Sequence, residues 1–254
     1  MGQATDSSEG KARSSVGSTV GSGVENLTSH LSEVIAEVKP KLRGWLHLGS
    51  APLTLAAGIV LVVLSPTTTI KVGNALFCGT GLLLFTVSAV YHRGTWSPPV
   101  WRLLRRFDHS NIFLLIAGSY TPFSLILLEG TQEEVLLTVV WTGAILGVLF
   151  RVFWTGAPRW LYVPIYLALG WAAVFFIPAF FTGAMTLGTG IGVATFVLIL
   201  VGGGLYTLGG LVYGVKRPDP WPSWFGFHEI FHTFTILAFA AHYVGVSLAT
   251  YALR

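Results

Sequence analysis

The sequence predicts an all-α integral membrane protein of the cell membrane: a seven-transmembrane-helix bundle with a cytoplasmic N-terminus and an external C-terminus. Three observations carry this. Of the 254 residues, 53% are hydrophobic and only 10% are charged, where a soluble domain carries about 25% charged residues. Seven apolar runs, over residues 45–64, 70–92, 110–128, 134–153, 159–180, 188–213 and 228–250, each come close to the roughly 20 residues that cross a bilayer. Finally, of the 15 Lys and Arg residues only Lys71 and Arg254 fall on one side of this seven-run pattern, and the remaining thirteen (15 − 2) fall on the other. The positive-inside rule then sets the orientation, and an odd number of spans requires the two termini to lie on opposite sides.

The elements follow in order. Residues 1–23 are rich in Ser and Gly and read as a disordered tail without the apolar core of a secretory signal. Met1-Gly2 suggests a myristoylation signal, but Asp6 stands where that signal needs Ser or Thr. Over residues 24–39, Val24, Leu27, Leu31, Val34, Ile35 and Val38 recur at spacings of three and four. This is one apolar helical stripe, predicted to lie on the membrane surface and to end at Pro40. The membrane domain occupies 40–254. Its connections carry Ser65-Pro66, Ser97-Pro98-Pro99, Glu129-Gly130, Ala157-Pro158 and the proline-rich stretch 218–222. Pro122, Pro164 and Pro178 fall inside spans, where proline kinks a helix. Gly202, Gly203, Gly204, Gly209 and Gly210 predict close packing of the sixth span. The single Cys78 reads as a small buried filler, so there is no disulfide framework. The basic residues track topology rather than one face, which excludes a nucleic-acid partner.

Ionisable groups in membrane spans are costly and mark functional sites. His92 ends the second span, Asp108 opens the third at the start of its helix, and His228 and His232 open the seventh. The topology puts all four at the cytoplasmic end, although it was built without them. His228 and His232 are four apart, on one helical face, and His228-Glu-Ile-Phe-His232 matches the H-E-x-x-H pattern of zinc hydrolases. With His92 they supply three ligands, the arrangement of catalytic Zn2+ with one open position. Asp108 is then placed to hold or deprotonate the water in that position, and Ser88, one turn before His92, to support either group. A lone interfacial His would instead read as hydrogen-bonded to backbone or headgroup. Glu229 is either a general base or, about 100° round the helix from His228, faces solvent or the Arg and Lys side chains of nearby loops. His242, about 15 Å beyond His232, cannot join the same site and is predicted to bond another helix, with substrate contact as the lesser alternative. His109 reads as structural and turned away from Asp108. His47 and His30 read as surface residues. Tyr120-Thr121-Pro122 reads as architecture, with Thr121 satisfying backbone near the proline.

The segments Ser88-Ala-Val-Tyr-His92, Arg105-Arg-Phe-Asp108-His-Ser-Asn-Ile, Gly118-Ser-Tyr-Thr-Pro122 and Phe227-His-Glu-Ile-Phe-His232 together resemble hemolysin III proteins, the bacterial branch of the progestin and adipoQ receptor family. The resemblance covers roughly residues 39–250. It implies a seven-helix bundle with the N-terminus inside, zinc ligands at His92, His228 and His232, an Asp near the metal at Asp108, and a Ser at Ser88. Related receptors carry Gln inside the last His pair, which argues against Glu229 as a base. The wider superfamily includes alkaline ceramidases, which hydrolyse lipid amides with a similar site, whereas the family name records a hemolytic, pore-forming activity.

Three functions therefore compete. One is a zinc-dependent hydrolase acting on a membrane lipid amide or ester. Another is a pore-forming protein with structural zinc, although the spans offer almost no charged lining for an aqueous channel. The third is a receptor-like sensor. A site-two-type protease would share the HEIFH stretch, but no second Asp-Gly ligand motif lies within a span.

The charge bias predicts that a reporter fused after Arg254 is active only outside the cell. Strong cytoplasmic signal from that fusion would overturn the orientation.

Overall fold

The computed structural model describes residues 40–154 and 156–254. The predicted tail and surface helix, and His30, lie outside them. Every regular element among the described residues is a helix: α1 (Trp45–Val63), α2 (Thr68–Arg93), α3 (Pro98–Leu127), α4 (Thr131–Phe153), α5 (Arg159–Gly170), a 3-10 turn (Ala172–Phe176), α6 (Ile177–Met185), α7 (Thr189–Val215) and α8 (Phe227–Ala252). Among the described residues, seven stretches are long and apolar enough to cross a membrane, one of them formed by α5, the turn and α6 together. Outward faces carry residues such as Leu53 and Phe175, 72% and 86% exposed. That exposure suits hydrocarbon rather than water, and the chain is a multi-pass membrane protein.

The third span differs from its sequence expectation. α3 begins at Pro98, twelve residues before position 110 (110 − 98). Proline is tolerated in the first helical turn, where its missing N–H has no intrahelical acceptor. Arg102, Arg105 and Arg106 lower the hydropathy of this turn region, but arginine forms helices well, so apolar runs understate the helix. Asp108 therefore lies ten residues inside α3 (108 − 98) rather than at its start, beyond the first turn in which the helix dipole acts.

The fifth span also differs, being broken in the middle. Pro178 sits in the first turn of α6 and cannot donate a hydrogen bond back into the preceding turn. Tyr120 of α3 bridges the break: its hydroxyl accepts from the Ala173 N–H at 2.9 Å and donates to the Gly170 carbonyl at 2.6 Å. Thr121 donates to the Ala117 carbonyl at 2.8 Å and accepts from Trp141 at 3.1 Å. Tyr120 and Thr121 are thus architecture, as their mid-span position suggests.

α3 is the most buried span and touches α2, α4, α5, α6 and α8. α8 packs along α7 and also meets α1, α2 and α3, and this arrangement places its first turn against the end of α2. At the opposite end, Asn74 of α2 donates to Ser65 at 2.8 Å and to Thr250 of α8 at 3.1 Å. Of the five glycines expected to admit neighbours to α7, Gly202, Gly209 and Gly210 lie against His242, Phe234 and Leu167. Gly203 and Gly204 face open space and do not serve packing. Cys78 is buried against Gly58, as a filler.

Gly183 of α6 marks a tighter approach, since a Cβ there would fall 1.8 Å from the Leu127 carbonyl oxygen. Gly183→Ala should destabilise the bundle by about 1–3 kcal/mol or more, the cost of overpacking. Gly203→Ala should be neutral or slightly stabilising, by up to about 1 kcal/mol. Thermal unfolding of the two variants in detergent checks this; equal midpoints would refute the close contact.

Candidate metal centre

Four helices meet at the arginine-rich end of the bundle. α2 contributes Ser88 and His92 from its last turns, α3 contributes Asp108, α8 contributes His228 and His232 from its first turns, and α1 contributes His47. The start of α8 is fixed by Glu229, which is fully buried. Its Oε2 accepts from the Gly226 N–H at 2.8 Å and its Oε1 pairs with Arg43 Nε. The first contact is the Glu half of a capping box. Both carboxylate oxygens are therefore occupied away from the His cluster, which matches the reading of Glu229 as a partner of basic loop residues.

One ring nitrogen each from His92, His228 and His232 lies within 4.8 Å of the others. His92 Nε2 and His228 Nε2 are 3.2 Å apart. Two nitrogens on a tetrahedral ion with bonds of about 2.0–2.1 Å are separated by about 3.3 Å, so this pair already stands at a coordination edge. Nδ1 of His232 is buried without a hydrogen-bond partner. Three convergent imidazoles in apolar surroundings form a donor set suited to a divalent transition metal, so these three residues could hold one. Asp108 Oδ2 stands 3.8 Å from His92 Nε2, too far for a hydrogen bond. Ser88 is buried, makes no hydrogen bond of normal geometry, and lies close enough to the Asp108 carboxylate to interact with it.

A cavity of about 20 Å³ runs between these groups, lined by His47, Ser88, Asp108, His109, His228 and His232 among others. It has room for about one water. Two of these residues correct the sequence reading. His47 is not at the surface: it is 2% exposed and stacks on His232 with ring centroids 3.9 Å apart and planes 13° from parallel. Its place in an otherwise apolar helix was the only signal available, and its distance from the other histidines along the chain concealed their proximity. His109 is structural, with Nδ1 at 2.7 Å from the Arg105 carbonyl and Nε2 at 3.3 Å from the Tyr213 hydroxyl. It is not turned away from Asp108, however, because Nδ1 also lies 4.0 Å from Oδ2.

A second, apolar cavity of about 140 Å³ lies deeper in the bundle. It shares Leu84, Ile112, Tyr213, Phe231 and Thr235 with the polar one, so the two adjoin along one wall. His242 lines the apolar cavity, and its Nε2 lies 3.3 Å from the Ile199 carbonyl of α7. This is the interhelical bond expected of it.

The sequence model of the haemolysin-III-related family matches residues 35–243. The chain belongs to that family. It is 30% identical to Hemolysin-3 of Bacillus cereus over 214 residues, 83% of this chain and 91% of that one. A Hemolysin-3 homolog of Bacillus subtilis (strain 168) is 33% identical over 160 residues, 63% of this chain and 68% of the relative. The adiponectin receptor protein of Drosophila melanogaster is 29% identical over 188 residues, 68% of this chain but 41% of the receptor. This similarity extends to the wider progestin and adipoQ receptor superfamily. The match to haemolysin-III-related proteins spans all four helices that build the centre.

Purified protein should carry one divalent transition-metal ion per chain. His92→Ala, His228→Ala and His232→Ala should each lose it, whereas Tyr120→Phe, which touches none of the three, should keep it. Chelation should also lower the thermal midpoint, because an ion bound only to the folded state stabilises it. Elemental analysis of the variants is the check, and stoichiometric metal in all three His variants would sink the assignment.

Proposed function

We propose that this protein is a zinc-dependent hydrolase of lipid amides or esters, with His92, His228 and His232 as ligands, Asp108 as its acid–base group and Ser88 in support. The observation that supports the reading is the adjacency of the two cavities. A pocket lined by His47, His109, His228, His232 and the Asp108 carboxylate shares wall residues with an apolar one. A lipid needs such a pairing, with its acyl chain in the apolar space and its carbonyl at the polar groups.

Zinc held by three imidazoles would supply a Lewis acid for the carbonyl and acidify a water in its open position. Asp108 accepts a proton from the attacking water and returns it to the leaving amine or alcohol. It can do so because it is not committed to a hydrogen bond with His92. Ser88, within interaction range of the Asp108 carboxylate, supports it. Glu229 takes no part, being held by Arg43 and Gly226. By the charge bias, this chemistry lies near the cytoplasmic face.

The name Hemolysin-3 carried by two relatives favours membrane lysis as a second reading. Against it, the larger cavity is walled by residues such as Leu115, Ile116, Phe123 and Phe180, whereas a water-filled pore needs polar lining.

Asp108→Asn should keep both metal and fold and lose hydrolysis by about 10²–10⁴-fold, the worth of a general base. The measurement uses liposomes containing a lipid amide and a trapped dye. Dye release without lipid cleavage, equal in wild type and Asp108→Asn, would replace the hydrolase with a pore.

A further inference from the structure

The apolar cavity contains two polar groups that neither packing nor the metal centre uses. His242 of α8 is 8% exposed. Its Nε2 meets the Ile199 carbonyl at 3.3 Å, while Nδ1, on the other edge of the ring, is buried without a partner. A carbonyl only accepts, so Nε2 carries the proton and Nδ1 is a bare acceptor. Tyr206 of α7 holds its ring 5.6 Å from that of His242, and its hydroxyl is likewise buried without a partner. Both residues line the cavity. The position of His242 is built rather than incidental. A Cβ on Gly202 would fall 2.2 Å from the ring, and Phe123 of α3 closes on it edge-on at 5.5 Å.

The other hydroxyls of the cavity wall are paired, those of Tyr120, Tyr166 and Tyr213 with groups on other helices and those of Ser119, Thr207 and Thr235 on their own. Ser119 donates to the Leu115 carbonyl at 2.8 Å, Thr207 to that of Gly203 at 2.8 Å, and Thr235 to that of Phe231 at 2.9 Å. Within the bilayer no bulk water compensates a buried polar group left unpaired. One unmatched acceptor and one unmatched donor, on residues of two helices that line one cavity, are complementary to a single hydroxyl. Such a group donates to Nδ1 and accepts from Tyr206.

We infer that His242 and Tyr206 form a recognition point for a hydroxyl carried part-way along the acyl chain of a lipid whose head lies at the metal centre. The inference rests on the reading of the centre as the place of the lipid carbonyl. The spacing gives the position of the hydroxyl. His242 lies ten residues beyond His232 on α8 (242 − 232), about 15 Å at 1.5 Å per residue. With carbon–carbon bonds of about 1.5 Å, an extended chain advances about 1.25 Å per carbon, so the hydroxyl belongs about twelve carbons from the carbonyl. An oxo group there can accept from Tyr206 but leaves Nδ1 unmatched, so the pair selects the hydroxyl over the ketone.

The test is equilibrium binding to the purified, metal-loaded full chain in nanodiscs. The probes are octadecanoic acid and its 12-hydroxy, 12-oxo and 2-hydroxy derivatives. The 12-hydroxy acid should bind about tenfold tighter than octadecanoic acid, as expected for satisfying two buried polar groups. The 12-oxo acid should fall between them, and the 2-hydroxy acid should gain nothing. Tyr206→Phe removes one oxygen and leaves the ring; it should abolish most of the preference while leaving octadecanoic acid binding unchanged. His242→Phe should do the same, and Tyr206→Phe decides the matter if the His242 variant does not fold. Equal binding of the hydroxy and plain acids by wild type, a preference that survives Tyr206→Phe, or no binding of any probe overturns the inference. Because binding is read and not turnover, a hydroxyl preference without lipid cleavage would sink the hydrolase and leave this site standing.

Discussion

Hydrocarbon around the bundle offers no hydrogen bonds, and the placement of polar groups follows from that constraint. Asn74 reaches Ser65 and Thr250 at one end of the molecule. Tyr120 takes up the N–H and carbonyl left by the break in the fifth span. Ser119, Thr121, Thr207 and Thr235 return their hydroxyls to backbone carbonyls of their own helices. Against this background, imidazole nitrogens and hydroxyls that lack partners stand out. Among them, His47, Ser88 and His232 gather at one end and His242 and Tyr206 in the adjoining cavity.

The gathering depends on α8. Its first turn is held by Glu229, which closes the helix on Gly226 and ties it to Arg43 just before α1. Removing one partner of a buried ion pair costs far more than the pair gains over an apolar substitute, so this contact fixes position more than it adds stability. His228 and His232 then face His92 at the end of α2, and the parallel stacking of His47 on His232 restrains the ring that the metal would use. The Glu of the H-E-x-x-H pattern thus holds the helix on which the two histidines stand, a role unlike that of a base in a soluble zinc hydrolase.

The chemistry proposed here needs a small polar volume and a large apolar one in contact. α3 provides the boundary: Asp108 and His109 face the polar space, and one turn on, Ile112 belongs to both. Because α3 extends back to Pro98, Asp108 stands well inside a continuous helix with a fixed direction, rather than at a loose entry from a loop. Its relation to the imidazoles is therefore set by the packing of α3 on α2 and α8.

Seven spans, their helical nature and the common depth of His92, Asp108, His228 and His232 were legible in the sequence. They depend on length, hydropathy and charge sidedness, which are local or additive along the chain. The four-residue spacing of His228 and His232 put them on one face for the same reason. The start of α3 was misread because hydropathy reports what lipid tolerates, whereas a helix continues into the interface wherever backbone geometry allows it, as the arginines of its first turns do. The break before Pro178 could be suspected from the proline, but its repair by Tyr120 could not. Which residues share a cavity was decided by tertiary structure alone. The burial of His47 against His232, the turn of His109 toward Asp108, the commitment of Glu229 to Arg43 and the pairing of His242 with Tyr206 all join side chains on different helices. The rotation of one helix about its axis relative to another is set by packing across the whole bundle, and no single segment of sequence encodes it.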